Sequence, residues 1–180
     1  MQRNFLLSLL QAYHPEDVEE KHHKRAIEAF VKRCSNCFER SCEEGHITAS
    51  SWLLSEDLQH AFLLHHAKLG IWCQPGGHCD GEPDVVKVAI KEALEESGLQ
   101  EVTSLQEAIF DVDVHLIPQS PKEKAHLHYD IRFLLKAVGN QTIILNHESK
   151  DFLWVGKEGS SLPSQERSIH RMHRKWREKK

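Results

Sequence analysis

The chain has 180 residues and a formal net charge of −4, with 39% hydrophobic and 28% charged residues. These values fit one globular domain with an extension, and they argue against a fibrous, disordered or generally nucleic-acid-binding chain, since a mildly acidic protein does not attract phosphates. Its apolar stretches are far shorter than the roughly 18 residues that span a bilayer. With no convincing signal peptide and an odd number of cysteines, five, we expect a reduced, cytoplasmic, soluble protein.

Helical patterns fill residues 1–44 and predict an N-terminal extension ahead of a main domain at residues 45–180. An apolar turn at residues 5–10 is broken at His14-Pro15. Pro15, followed by acidic residues, favours a second helix that continues to about Cys37. The amphipathic pattern leaves open whether this extension caps the ligand pocket or forms a homodimer.

Strand patterns begin after Gly45. Strands are predicted at residues 47–54, 61–64, 71–73, 108–117, 125–138, 142–145 and 152–155. A helix is predicted from Pro83 to Ser97, closed by Gly98 as a left-handed stop, and a final helix from Ser164 to Trp176. Because strands and helices mix without a strict βαβ rhythm, we expect a mixed sheet clasped by helices.

The helix from Pro83 to Ser97 combines an apolar stripe with an acidic face. At about 100° per residue, Glu92, Glu95 and Glu96 fall opposite the stripe. The apolar stripe comprises Val86, Ala89, Ile90, Ala93 and Leu94. Like charges at these spacings repel one another, whereas a hard cation such as Mg²⁺ binds convergent carboxylates. Spacing alone leaves a solvated acidic face and a metal site both open.

The segment around this helix resembles the signature of the Nudix hydrolases, G-x5-E-x7-R-E-U-x-E-E-x-G-U, in which U is aliphatic. Counted from Gly77, the positions that match are Glu92, Glu95, Glu96, Gly98 and Leu99, with the smaller Ala93 at an aliphatic position. Two positions depart from the signature, since Pro83 replaces its early Glu and Lys91 replaces its Arg. With the flanking segments, the resemblance spans about residues 45–176.

The resemblance implies an α/β/α sandwich with a mixed sheet, an α/β (α+β) fold. It also implies Mg²⁺- or Mn²⁺-dependent hydrolysis of a diphosphate linkage in a nucleoside diphosphate derivative or related small molecule. By the family pattern, the metal ligands are Glu92, Glu95, Glu96 and the Gly76 carbonyl. Lys91 is implied to orient a glutamate, more loosely than the planar fork of Arg. Which carboxylate or histidine acts as the general base stays open.

The chain has fourteen histidines, a high count. His126, His128 and Asp130 alternate along one face of a predicted strand, as do Asp113 and His115 on its neighbour, so they could converge on the site. The predicted substrate-binding residues are Gly76, Gly77, His78, His126 and His128. A second metal, a base, and a polar face that only shapes the pocket are alternatives for these histidines.

Four soft ligands lie within 13 residues, at Cys34, Cys37, Cys42 and His46. The spacing invites a zinc site, but the cysteines lie near a helix end and His46 begins a strand, which favours reduced thiols. Cys73 and Cys79 flank the glycines without a partner base, so a thiol nucleophile is not expected.

The residues from Glu166 onward carry seven basic and two acidic side chains, a local charge of +5. We favour a solvated amphipathic helix with a frayed basic end, and an arm that steers an anionic ligand is the alternative.

Two other functions stand beside hydrolysis. A catalytically inactive nucleotide-binding module would explain Pro83 and Lys91 as decay of the signature. An isopentenyl diphosphate isomerase-like enzyme has a similar segment to Gly77–Glu82, but its cysteine precedes the Gly-His pair, whereas Cys79 follows it here. The substrate itself is not readable from the sequence.

Overall fold

A computed structural model describes residues 2–121, 123–158 and 161–179. The elements in chain order are α1 (Gln2–Ala12), α2 (Val18–Arg33), β1 (Gly45–Leu54), β2 (His60–His66), β3 (Trp72–Cys73), β4 (Gly76–His78), α3 (Val85–Ser97), β5 (Val102–Ile117), β6 (His126–Ala137), β7 (Ser149–Gly156) and α4 (Arg167–Glu178). Across these described ranges, no helix has both the length and the apolar character needed to cross a bilayer.

The strands form one mixed sheet, with β3, β2, β1, β6 and β5 in spatial order. The central strand β1 pairs in parallel with β6 along its whole length, from Gly45 opposite Leu127 to Leu54 opposite Lys136. β4 pairs antiparallel with β1, so that His78 lies opposite Thr48, and β7 pairs antiparallel with β2. The pairing places three strands of very different sequence position, β4, β1 and β6, side by side.

Helices cover both faces of this sheet. One core contains α1, α2 and α3 with the sheet residues Ile47, Ala49, Ile131 and Phe133. The other contains Ile169, Met172 and Trp176 of α4 with Trp52, Leu63 and Leu134. Alternate residues of a strand point to opposite faces, so one strand supplies both cores. The predicted α/β/α sandwich with a mixed sheet is confirmed.

The prediction of a strand at residues 142–145 is wrong. Ile144 donates its backbone N–H to the Ser97 carbonyl over 2.9 Å, and Ile143 and Leu145 pack against the core. The segment crosses the end of α3 at Gly98, whose φ of +70° places its backbone close to Ile144. These residues are therefore apolar because they cover the end of a helix, and they do not pair with the sheet. Conversely, β4 forms at Gly76–His78, where the sequence patterns predict no strand.

The C-terminal basic segment is a helix with exposed basic residues, such as Arg174 and Arg177, but it also carries two buried ones. Arg171 and Lys175 are only 5% and 3% exposed. Arg171 Nη2 lies 2.8 Å from Asp111 Oδ1 on β5, and Lys175 Nζ lies 2.5 Å from Glu20 Oε1 on α2. The favoured interpretation is wrong for these two residues because buried carboxylates face them, and the ion pairs attach α4 to β5 and α2.

Candidate active site

The rotation of α3 about its axis decides where its carboxylates point. The Asp84 side chain caps the helix by accepting a hydrogen bond from the Lys87 N–H over 3.1 Å. The buried side of the helix carries Val85, Val88, Ala89, Ala93 and Glu96. The side chain of Glu92 is 15% exposed and that of Glu95 is 54% exposed.

The wheel prediction, which put all three glutamates opposite the packed stripe, is therefore wrong for Glu96, which is 5% exposed. Val88, Glu92 and Glu96 are spaced four residues apart and form one row that faces β4. On the neighbouring side, Ile90 and Leu94 are only partly buried. The packed side of α3 thus includes Glu92 and Glu96, while Glu95 is exposed.

Glu96 is held against the backbone of β4. Its Oε2 accepts a hydrogen bond from the Gly76 N–H over 2.8 Å. Burial raises the pKa of the Glu96 carboxyl to about 8, against the opposing effect of that hydrogen bond, and the negative charge of Glu92 raises it further. Without a cation, this carboxyl is therefore mostly protonated at neutral pH.

Glu92 lies directly over Gly77. A Cβ atom built on Gly77 would be 2.6 Å from the Glu92 carboxylate carbon, so only glycine leaves room for this side chain. Lys91 Nζ donates to Glu92 Oε1 over 3.0 Å and to Glu95 Oε2 over 3.1 Å. Burial raises the pKa of the Glu92 carboxyl, although the Lys91 ammonium opposes this shift. Lys91 thus contacts two of the three predicted metal ligands.

The donor set at this point suits a hard divalent cation. Carboxylate oxygens of Glu92 and Glu96 meet the backbone at Gly76 and Gly77, and Glu95 is linked to them through Lys91. Buried carboxylates need a compensating positive charge, and Mg²⁺ prefers carboxylate and carbonyl oxygens. The residues present therefore fit the metal that the sequence resemblance implied.

Glu148 is a further acidic residue near these carboxylates. Its negative charge raises the pKa of both Glu92 and Glu96. It lies in the loop before β7, and Asn146 of that loop donates through Nδ2 to the Glu95 carbonyl over 3.2 Å. Sequence analysis did not single out Glu148, because only the tertiary fold brings this loop to α3.

The predicted histidines also come together, but on the other face of β4. Gly77 faces Glu92, so the next residue, His78, points the opposite way. Its ring lies 4.9 Å from those of His46 and His128, centre to centre. His126 Nε2 lies 3.3 Å from His128 Nε2. Sequence spacing grouped His46 with the nearby cysteines. Its position beside His128 could not be predicted, because no local sequence pattern indicates the parallel pairing of β1 with β6.

Burial lowers the pKa of the His46 imidazole to about 4 and that of His128 to about 2, and it also lowers the pKa of His78. In each case neighbouring positive charge adds to the effect of burial. These rings are therefore neutral near pH 7, the form that carries a free lone pair.

Among the described residues, the group around His46 that is spaced to hold a metal ion contains no cysteine, although Cys42 and His46 line the same cavity. Cys34 Sγ and Cys42 Sγ lie 2.8 Å apart, while burial raises the pKa of the Cys37 thiol to about 11. Burial likewise raises the pKa of Cys73 to about 12 and the pKa of Cys79 above its usual range. Cys79 therefore stays a thiol near pH 7, which weighs against isomerase-like cysteine chemistry.

The sequence matches the model of a known protein family. The model of the NUDIX domain matches residues 45–172, more than half of the chain. This chain belongs to the Nudix family. The assignment places the protein among hydrolases that act on phosphoric anhydrides.

Solved structures with the Nudix fold are similar to this Nudix protein. A Nudix-family hydrolase from Clostridium perfringens has a TM-score of 0.52 and 24% identity, over 73% of this chain and 95% of that one. An Ap4A hydrolase from C. elegans has a TM-score of 0.51 and 18% identity, over 72% and 93%. The E. coli dihydroneopterin triphosphate pyrophosphohydrolase has a TM-score of 0.50 and 11% identity, over 71% and 91%. Among curated proteins, none matches the chain.

The two glycines of this Nudix protein are expected to respond differently to alanine. In Gly77→Ala the three atoms nearest the added methyl all belong to the carboxylate of Glu92, at the end of a flexible side chain. We therefore expect unchanged stability, within about 1 kcal/mol, and turnover about 100-fold lower from a misplaced carboxylate. In Gly76→Ala the methyl would lie 2.8 Å from Ser50 Cα, so β1 must shift and stability falls by about 1–3 kcal/mol. Urea unfolding and turnover of both variants check this, and equal destabilisation by the two would contradict it.

Proposed function

We propose that this protein hydrolyses a diphosphate linkage in a nucleoside diphosphate derivative or a related small molecule. Mg²⁺ or Mn²⁺ would be held by Glu92, Glu95, Glu96 and the Gly76 carbonyl. The observation that carries the proposal is the pair of carboxylates, Glu96 buried and Glu92 partly buried, packed against the Gly76-Gly77 backbone within a Nudix domain.

Charge is the physical reason for the metal. The protein has a net charge of −4 and a diphosphate is strongly anionic, so a cation must lie between them. When bound, the metal polarises the phosphoryl group and lowers the pKa of a coordinated water.

The protein's own groups have distinct roles in this proposal. The Gly76 N–H fixes the Glu96 carboxylate, the absence of a side chain at Gly77 admits Glu92, and Lys91 Nζ restrains Glu92 and Glu95 together. Glu148 joins the α3 carboxylates as a candidate general base, because it is exposed and its loop is attached to α3 at Glu95. The predicted substrate contacts stay His78, His126 and His128. They are not ligands of this metal in the proposal, because they lie on the face of the sheet opposite to Glu92.

The test is phosphate release, with a coupling phosphatase, from a panel of diphosphate compounds in Mg²⁺ and then Mn²⁺. The panel contains ADP-ribose, nucleotide sugars, dinucleoside polyphosphates, NADH, nucleoside triphosphates, dihydroneopterin triphosphate and isopentenyl diphosphate. We expect metal-dependent release from at least one compound. Glu92→Gln and Glu96→Gln should each lower that turnover at least about 1,000-fold, because several kcal/mol of metal-based stabilisation are lost.

The matched control is Glu107→Gln, an exposed glutamate on β5 that should leave turnover unchanged. Full turnover in Glu96→Gln would contradict the proposal. Tight nucleotide binding without metal-dependent turnover across the panel would favour the inactive binding module instead.

A further inference from the structure

We propose that His46, His78 and His128 form a second metal site, for a borderline transition metal such as Zn²⁺, separate from the carboxylates of α3. The three residues come from the adjacent strands β1, β4 and β6. His46 lies directly opposite His128 in the parallel pair, and His78 lies opposite Thr48, two positions along β1 from His46. All three side chains therefore leave the same face of the sheet.

The spacing of the rings is that of three imidazoles around one ion. The centres of the His46, His78 and His128 rings form a triangle in which every side is 4.9 Å. For a tetrahedral Zn²⁺ bound to imidazole nitrogens at about 2.05 Å, the ring centres are about 5.2 Å apart. One potential ligand nitrogen from each residue lies within 4.8 Å of the others. Small side-chain rotations bring such nitrogens to the roughly 3.4 Å separation of tetrahedral ligands.

His46 provides an independent indication of a ligand. It is 3% exposed, and within the described part of the chain both of its ring nitrogens are buried without a hydrogen-bond partner. Buried polar groups are nearly always satisfied, and leaving one unpaired costs about 1–3 kcal/mol. An ion at the centre of the three rings would bind one of these nitrogens.

His126 supports His128 from outside the triangle. Its Nδ1 lies 2.8 Å from the Lys124 carbonyl, which can only accept, so Nδ1 of His126 carries the proton. In the neutral ring, His126 Nε2 then accepts the hydrogen bond from His128 Nε2 over 3.3 Å. This pattern leaves the lone pair of His128 on Nδ1. Ligating histidines commonly donate their other N–H in this way.

The ligand type selects the metal. Neutral imidazoles suit Zn²⁺, Cu²⁺ and Ni²⁺, whereas Mg²⁺ prefers the oxygens on the other face of β4. Three protein ligands leave one tetrahedral position for water. His46 and His126 line a cavity of about 230 Å³ whose wall also carries Arg40, Glu43, Glu123 and Lys124, two positive and two negative side chains. This cavity provides the route by which the ion and its water reach the site.

The experiment is titration of the chelator-treated full chain with Co²⁺, followed by visible absorption. We expect one equivalent of Co²⁺ to give the intense d–d bands of a four-coordinate site, and one equivalent of Zn²⁺ to remove them. Loss of a residue that only supports a metal ligand typically weakens metal binding by about 10- to 100-fold. His46→Ala and His128→Asn remove the ligands themselves, so each should weaken binding at least about 100-fold.

Three control variants separate this site from its neighbours. Glu96→Gln removes a carboxylate of α3, and the double variant Cys34→Ser with Cys42→Ser removes the nearby thiols. His115→Ala removes a histidine outside the triangle, whose Nδ1 lies 3.1 Å from Asp113 Oδ2. All three should keep the cobalt bands. Because Glu96→Gln keeps them while losing turnover, failure of this site and failure of the proposed hydrolysis are distinguishable.

Folding of each variant is checked by near-ultraviolet circular dichroism. If His46→Ala is unfolded, the variant His78→Ala replaces it, because His78 on β4 is only half-buried. A folded wild-type chain without four-coordinate cobalt bands would overturn the proposal. So would bands that persist in the folded histidine variants, or that disappear in Glu96→Gln or in the cysteine double variant.

Discussion

The metal-free protein is expected to lose stability as the pH rises from about 6.5 to 9, and Glu96→Gln is expected to remove most of that loss. Burial raises the pKa of the Glu96 carboxyl from its usual 4.5 to about 8 in the folded state. Between these values the folded protein binds the proton that the unfolded chain has released, so the free energy of unfolding falls as pH rises. The loss is at most about 5 kcal/mol over the whole range from pH 4.5 to 8, and about 2 kcal/mol of it falls above pH 6.5.

The choice of pH window isolates Glu96 from His46 and His128, while His23, whose pKa is raised by its hydrogen bond with Asp113, affects wild type and Glu96→Gln alike. Burial lowers the pKa of His46 and His128, which makes stability rise with pH, but only up to their unfolded value of 6.5. From pH 6.5 up to its folded pKa of about 8, the Glu96 carboxyl is protonated in the folded protein and ionised in the unfolded chain, so stability falls as pH rises. The difference in stability between Glu96→Gln and wild type should therefore grow from pH 6.5 to about 8 and level off by pH 9.

The measurement is urea unfolding of chelator-treated wild type, Glu96→Gln and the exposed control Glu107→Gln at pH 6.5 and 9. Glu107→Gln should follow wild type. Excess Mg²⁺ at pH 9 should restore stability to wild type but much less to Glu96→Gln, because a ligand that binds only the folded state stabilises it. Parallel pH profiles for wild type and Glu96→Gln would show that this carboxyl does not oppose folding.

The variant Arg171→Met is expected to lower the free energy of unfolding by about 3–5 kcal/mol, the usual result of removing one partner of a buried ion pair. Arg171 donates from Nε and Nη2 to the two oxygens of Asp111, over 2.9 and 2.8 Å. Nη2 also lies 3.1 Å from Asp113 Oδ1. Asp111 is fully buried, so the substitution leaves a buried carboxylate with less positive charge around it.

The matched control is Arg174→Met, one turn further along α4. The Arg174 side chain is 52% exposed and lies 3.2 Å from Asp17. Surface ion pairs contribute little, so this variant should lose less than about 1 kcal/mol. Urea unfolding at pH 7 measures both. A loss in Arg171→Met no larger than in Arg174→Met would contradict the structural role of the buried pair.

The ion pairs of α4 also bear on the N-terminal helices. Lys175 reaches Glu20 on α2, and His23 Nδ1 lies 3.3 Å from Asp113 Oδ1. Leu6 of α1 and Phe30 of α2 are fully buried in the same core as the sheet. Through these contacts, α1 and α2 pack closely on the Nudix domain. A domain boundary at residue 45 stays a prediction, as do the homodimer and the cytoplasmic location.

Features that depend on short-range spacing could be predicted from the sequence alone. The sandwich, the helix from residue 85 to 97 with its Gly98 stop, and the family were all readable, because periodicity and the spacing of the Nudix signature are local properties. The resemblance also implied that Lys91 orients a glutamate, and in the structure Lys91 Nζ donates to Glu92 and Glu95.

Which surfaces of these elements meet depends on how the whole chain folds. The burial of Glu96, the ion pairs of Arg171, the loop of Glu148 and the grouping of His46 with His128 all join residues that are distant in sequence. The parallel pairing of β1 with β6 brings His46 beside His128 across more than eighty residues. Contacts of this kind depend on the docking of whole elements, for which a single sequence carries no local pattern.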